Sequence, residues 1–275
     1  MKPSLEYYKD KAVLITGASS GIGEELARQL GRCGAQLTLV ARRKALLHAL
    51  ADEIASAGSR TRPLVVDGDV TRDGDMERAV AESVQRWGRL DAVIANAGFG
   101  VVGALADISV EDYRRQFETN VFGVLRTIYA ALPEIKKVQG NVVIIGSVAG
   151  WISTPGASPY AMSKFAVRAL ADAITPELRP LGIRVTLISP GFVVSNIRRV
   201  SNQGTFRPAA ADPIPAWLSV STARAVRQIL GAVAEGKREQ IVTGHGRILV
   251  FLQRFAPWVI RVVGARLMAK PRRDT

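Results

Sequence analysis

Short apolar runs and longer amphipathic stretches alternate along this chain. Runs rich in β-branched and aliphatic residues lie at 12–16 (AVLIT), 36–40 (QLTLV), 62–66 (RPLVV), 91–96 (DAVIAN), 141–146 (NVVIIG), 183–189 (IRVTLIS) and 239–244 (EQIVTG). Several are almost continuously apolar, the pattern of strands covered on both faces. Between them, residues 21–33, 43–57, 73–87, 109–135, 160–179 and 221–235 read as helices. Alternation at this spacing predicts an α/β fold, a doubly wound Rossmann-type parallel sheet of about seven strands with helices on both faces. No repeat or low-complexity linker divides the chain, so a single domain is expected over residues 1–245.

Two regions do not fit the alternation. Residues 195–219, SNIRRVSNQGTFRPAAADPIPAWLS, form a polar, proline-rich connection of the length that serves as a lid. Residues 246–275 form a basic, apolar extension expected to be helical. Arg247, Arg254 and Arg261 are spaced by seven and line one face of a continuous helix, with Phe251, Phe255 and Trp258 among the apolar residues between them. Pro257 cannot sit inside a helix, so a break is expected there, with a second helix starting at it. Such a stretch suits a membrane interface. It equally suits packing on its own domain or on a neighbouring subunit, with the arginines snorkelling. Both readings stay open.

Composition narrows the partners. One cysteine, Cys33, excludes an intramolecular disulfide and a cysteine metal cluster, and with only His48 and His245 no metal site is expected. Both histidines read as structural or surface residues. The net charge of +13 points to an anionic partner. Seven basic residues face a single acid within 247–275, however, so much of that charge sits in the tail. No nucleic-acid-reading module accompanies it, and nucleic acid is not an expected partner. The N-terminal MKPSLEYYKDK has no apolar core of a signal peptide, and no run reaches the roughly 18 residues of a spanning helix. A cytoplasmic protein is expected, with peripheral membrane association through 246–275 as an addition.

The first strand runs straight into TGASSGIG, where Gly17, Gly21 and Gly23 open a helix. Glycine allows a tight turn and close approach of a pyrophosphate, and free N–H groups at the helix start favour its charge. Ser19, Ser20 and Ile22 complete this turn. The second strand ends in LVARRK, with Ala41 where an acidic residue would bind a free ribose 2′-hydroxyl. Arg42 and Arg43 follow and offer guanidinium groups to a 2′-phosphate, so NADP is expected in preference to NAD.

TGASSGIG is followed in order by GDV (68–70), ANAG (95–98), FETNVFG (117–123), GSVAG (146–150), YAMSK (160–164) and PGFVVS (190–195). Over residues 10–244 the chain thereby resembles the single-domain, tyrosine-dependent branch of the short-chain dehydrogenases/reductases. The resemblance implies an oxidoreductase interconverting a ketone or aldehyde and an alcohol. In this role Tyr160 is the general acid/base, Ser147 polarises the carbonyl, and Lys164 lowers the tyrosine pKa and holds the nicotinamide ribose. Asn120 supports a proton relay. A free tyrosine near pKa 10 must move by about three units, or roughly 4 kcal/mol, to work near pH 7, and a neighbouring ammonium favours the phenolate. The resemblance also implies that Asp69 and Val70 contact adenine and that Asn96, Ala97 and Gly98 lie beside its ribose. Pro190, Gly191 and Val193 would run along the nicotinamide, and Ser195 stands where threonine is usual. Ser19 would add a hydroxyl to the 2′-phosphate. Some family members acting on steroids, retinoids and long-chain ketones carry similar apolar C-terminal extensions, which makes a lipophilic substrate the expectation. A homodimer or homotetramer formed through the long helices is also implied. The alternative is a cofactor-binding sensor or scaffold without turnover, against which the full Asn120–Ser147–Tyr160–Lys164 set argues.

Overall fold

A computed structural model describes residues 6–194, 202 and 218–260. Seven strands, β1 (Ala12–Thr16), β2 (Gln36–Ala41), β3 (Leu64–Asp67), β4 (Ala92–Ala95), β5 (Asn141–Ile145), β6 (Arg184–Pro190) and β7 (Glu239–Val242), form one sheet in the order β3-β2-β1-β4-β5-β6-β7. Every adjacent pair is parallel. The helices are α1 (Gly21–Arg32), α2 (Lys44–Ser56), α3 (Asp75–Trp87), α4 (Val110–Phe117), α5 (Gly123–Val138), α6 (Ser158–Leu178), α7 (Thr222–Ala234) and α8 (Gly244–Phe255).

The continuous apolar runs are explained by two cores. Alternate residues along each strand face opposite sides of the sheet. Val13, Ile15, Leu37, Leu39, Ile94, Val143 and Ile145 meet α1, α2 and α7 on one side. Leu14, Val40, Val93, Val142, Ile144 and Leu187 meet α3, α5 and α6 on the other. Both sets must be apolar.

The helix expected over 109–135 is interrupted. Ser109 caps α4 with a reciprocal Ser109–Asp112 capping box, and Glu118–Phe122 then form a π-helical turn before α5 begins. One residue too many for the α-helical repeat is accommodated there, a feature common at functional sites. Asn120 sits inside it. Near the C-terminus α8 ends at Phe255, and residues 257–260 start a second helical segment at Pro257, after a break at Ala256. The remainder of the tail and most of 195–219 lie outside the described residues.

Candidate active site

Strand order reverses between β1 and β4, so their C-terminal ends open a crevice where open α/β sheets bind ligands. Thr16 ties its walls together. Its Oγ1 accepts hydrogen bonds from Asn96 N at 3.1 Å and Ala97 N at 3.2 Å. Asn96 Nδ2 donates to Thr16 O at 2.9 Å and Gly17 O at 3.2 Å, so this amide holds the glycine turn. A Cβ on Gly17, which has φ +66°, would fall 2.8 Å from Ala97 Cα, and one on Gly23 would fall 2.4 Å from Gly17 O. These contacts are backbone and cannot yield, so the tightness of the turn demands glycine. Gly21 opens α1, and Ile22 packs against the core under it.

The two arginines diverge. Arg43 donates to Ser19 Oγ at 2.9 Å and Ser20 Oγ at 2.7 Å. Ser20 holds the N-cap position of α1 without capping it through its side chain. The start of α1 therefore combines N–H groups without a side-chain cap, two hydroxyls and a guanidinium that pairs with no carboxylate among the described residues. Arg42, 69% exposed in its side chain, points instead to Asp69 Oδ2 at 3.7 Å. A nicotinamide dinucleotide fits this cradle: the glycines admit a pyrophosphate, and Arg43 with Ser19 and Ser20 offers donors to a further phosphate.

Asp69 is largely occupied within its own turn, where Oδ1 accepts from Thr71 N and Oγ1 at 3.0 and 2.8 Å. Val70 is buried against Gly123, where a Cβ would come within 2.6 Å of its side chain.

Ser147, Tyr160 and Lys164 converge at the end of β5. Ser147 heads a 3-10 turn, Val148–Gly150, and its Oγ accepts from Ala149 N at 3.1 Å. This turn lies directly on α6 because position 150 is glycine: a Cβ there would stand 2.6 Å from Lys164 O. Lys164 reaches back under the turn, donating from Nζ to Ile145 O at 2.9 Å. Its ammonium is 5.8 Å from the centre of the Tyr160 ring, one helical turn earlier. Burial lowers the Lys164 pKa from 10.5 to about 8, still high enough to leave it mostly protonated at neutral pH. Gly100 faces the Tyr160 ring, with room for a Cβ no closer than 3.5 Å.

Asn120 is 1% exposed and behaves as a clamp. Its Oδ1 accepts from Phe99 N at 3.1 Å, and its Nδ2 donates to Phe99 O at 3.0 Å and Ser163 Oγ at 3.1 Å. Ser163 in turn donates to Tyr160 O at 2.7 Å. Both amide hydrogens are committed to protein partners, joining the loop after β4 to α6. Gly98 leaves room for this side chain, since a Cβ there would stand 3.0 Å from Asn120 Oδ1.

Several residues at the site carry no signal in the sequence. Gln116, fully buried, accepts from Val101 N at 2.6 Å and donates to Phe99 O at 2.8 Å. Asn202 exchanges two hydrogen bonds with the Val102 backbone at 3.1 and 2.8 Å, the described point where the 195–219 connection meets the loop after β4. Pro190 closes β6 with its carbonyl 3.5 Å from Ser147 Oγ. Gly191 and Val193 follow, Val193 buried and paired with Val220. Ser195 lies outside the described residues. His245 and Thr243, distant in sequence, close on this segment from the start of α8, just after β7. His245 Nε2 accepts from Phe192 N at 3.0 Å.

Residues 11–205 match the family model described as short chain dehydrogenase. The chain is 33% identical over 270 residues to "Dehydrogenase/reductase SDR family member 7B" of Mus musculus, covering 96% of this chain and 83% of that protein. It is 33% identical over 274 residues to "11-beta-hydroxysteroid dehydrogenase-like 4A" of Arabidopsis thaliana, covering 98% and 86%. A short chain dehydrogenase/reductase from Burkholderia phymatum, solved in complex with NAD, superposes with a TM-score of 0.81 at 23% identity, over 92% of this chain and 96% of that one. At that identity the structural likeness speaks for the fold alone.

Proposed function

This chain belongs to the short chain dehydrogenase family and is an oxidoreductase of CH–OH and C=O groups using a nicotinamide cofactor; from that premise we propose that it is NADP(H)-dependent and interconverts a lipophilic ketone or aldehyde with its alcohol. The observation that carries the chemistry is the placement of a buried, positively charged Lys164 under Tyr160, with Ser147 on the turn packed against the same helix.

When bound, the cofactor supplies or accepts the hydride. Tyr160 gives its phenolic proton to the substrate oxygen in reduction and takes it back in oxidation. The Lys164 ammonium favours the phenolate that remains, and holds the nicotinamide ribose. Ser147 Oγ holds the substrate oxygen while charge builds on it. Asn120 supports the proton path by fixing the Phe99 backbone against Ser163 on the catalytic helix. Arg43, Ser19 and Ser20 favour a 2′-phosphate, and Ala41 places no carboxylate there to repel one.

Substrate class and assembly rest on exposed apolar surface. Val102 and Leu105, on the loop after β4, are 59% and 76% exposed and suit a lipophilic substrate, as does the hydroxysteroid in one relative's name. Phe122 on the π turn, Tyr129 on α5, and Met162 and Phe165 on α6 are exposed and support association with further copies of the chain. On α8 and the helical segment after it, Ile248, Phe251, Phe255 and Trp258 are all exposed, close in sequence to Arg247 and Arg254, an arrangement suited to an anionic membrane interface.

Tyr160→Phe tests the enzymatic reading. Turnover of a carbonyl probe should fall on the order of 10²–10⁴-fold while NADPH affinity is kept. Biological activity unchanged in this variant would favour a sensor that binds the cofactor without reaction.

A further inference from the structure

The carbonyl of Pro190 lies 3.5 Å from Ser147 Oγ, and the conformation of the backbone that follows depends on a contact from the far edge of the sheet. Gly191 N donates to Val242 O at 3.0 Å, and Phe192 N donates to His245 Nε2 at 3.0 Å. The His245 ring stacks on the Phe192 ring, with centroids 5.4 Å apart and planes inclined by 20°. Thr243 Oγ1 lies 3.1 Å from the same imidazole nitrogen and also accepts from Gly246 N, capping α8. This grip leaves no room for a side chain at position 191. A Cβ on Gly191 would stand 2.3 Å from Thr243 Oγ1 and 2.8 Å from His245 Nε2.

Thr243 is 2% exposed and holds φ +106°, a conformation that a β-branched residue rarely adopts. Such strain persists only where the surroundings enforce it. The same turn touches the other wall of the site, since a Cβ on Gly246 would stand 3.0 Å from Val148 Cγ2, next to Ser147. Residues 243–246 thus touch both segments that flank the Ser147 hydroxyl.

The chemistry of the contact defines the state of the ring. A backbone N–H can donate to an imidazole nitrogen only if that nitrogen carries no proton, so His245 is neutral with its hydrogen on Nδ1. Burial lowers its pKa and favours the same state.

We propose that His245 is a positioning residue for the reaction, holding the Phe192 N–H through Nε2 and so keeping Pro190–Phe192 in place beside Ser147. This rests on the oxidoreductase reading above. Without the acceptor the segment is free to shift, and a misplacement of about 1 Å at a reacting centre can cost on the order of 10²-fold in rate.

The test compares His245→Ala, His245→Leu and His245→Gln in the full chain, because Gln can place Oε1 where Nε2 accepts. The readouts are kcat with NADPH and an aromatic diketone probe, hydrogen exchange over residues 190–194, and Tm. The inference expects Ala and Leu to lower kcat about tenfold or more and to speed exchange at Phe192. Gln should restore most of both, and the losses should not track Tm. It is overturned if Ala and Leu keep kcat within about twofold of wild type, if Gln fails to restore it, or if the losses simply follow Tm. Absence of turnover in the wild-type enzyme would count against the oxidoreductase reading instead. The inference is then judged on exchange alone: protection at Phe192 lost in Ala and regained in Gln supports it, and equal protection in all four proteins overturns it.

Discussion

Arg42 and Arg43 are neighbours of the same chemistry, yet they point to different partners, Asp69 for the first and the Ser19–Ser20 hydroxyls for the second. The sequence offered both to a 2′-phosphate, because a run of basic residues after a strand does not say which way each side chain turns. The account therefore predicts an asymmetry. Arg43→Ala should weaken NADPH binding roughly 10–100-fold, the loss of one or two charge-assisted hydrogen bonds, whereas Arg42→Ala should change it by less than about threefold. Fluorescence titration of both variants checks this. Lys164 gives a second prediction at this scale. Its folded pKa, about 8, lies below the unfolded value of 10.5. Below pH 8 both states hold the proton and the folded state bears the full desolvation cost. Between pH 8 and 10.5 only the unfolded chain binds it, so stability rises with pH. Measured by urea unfolding, wild type should gain on Lys164→Met by on the order of 2 kcal/mol between pH 7.5 and 9.5. Parallel pH profiles would show that Lys164 is not desolvated.

At the scale of elements, the strands were legible because two opposed cores demand apolar residues at successive positions, as Leu14 between Val13 and Ile15 illustrates. The helix read as continuous over 109–135 was not, because the π turn at Glu118–Phe122 carries no glycine or proline to mark it. What marks it is the burial of Asn120, a contact property. The motif residues were found by resemblance, while their supports were invisible: Gln116, Asn202 and His245 act on loops 15, 100 and 53 residues away. Glycines were partly legible, since Gly150 belongs to GSVAG, but the reason for it is the 2.6 Å approach of Lys164 O. Gly150→Ala should force the Ser147 turn away from α6 and lower kcat by at least about tenfold, with a smaller effect on NADPH affinity. Equal losses in both would place the damage in the fold as a whole.

For the whole molecule, the parallel order β3-β2-β1-β4-β5-β6-β7 puts the switch point, the glycine turn and the Ser147 segment at the C-terminal ends of neighbouring strands. The C-terminal extension was legible as basic and apolar, but its outward face was not, because a helix pattern does not reveal which side its neighbours leave bare. Phe251 and Trp258 are 61% and 66% exposed, and replacing both by Ser should abolish co-sedimentation with anionic liposomes at low salt. Lack of sedimentation by the wild-type chain would remove the membrane reading and leave this face to a protein partner.

The central claim is that the crevice binds NADP(H) in preference to NAD(H) to carry out carbonyl chemistry. Its most direct test is a fluorescence titration of the purified chain with NADPH and NADH, beside Arg43→Ala. The account predicts NADPH binding at least about tenfold tighter than NADH, with the loss in the variant confined to NADPH. Equal affinity for both, or no binding of either, would contradict it.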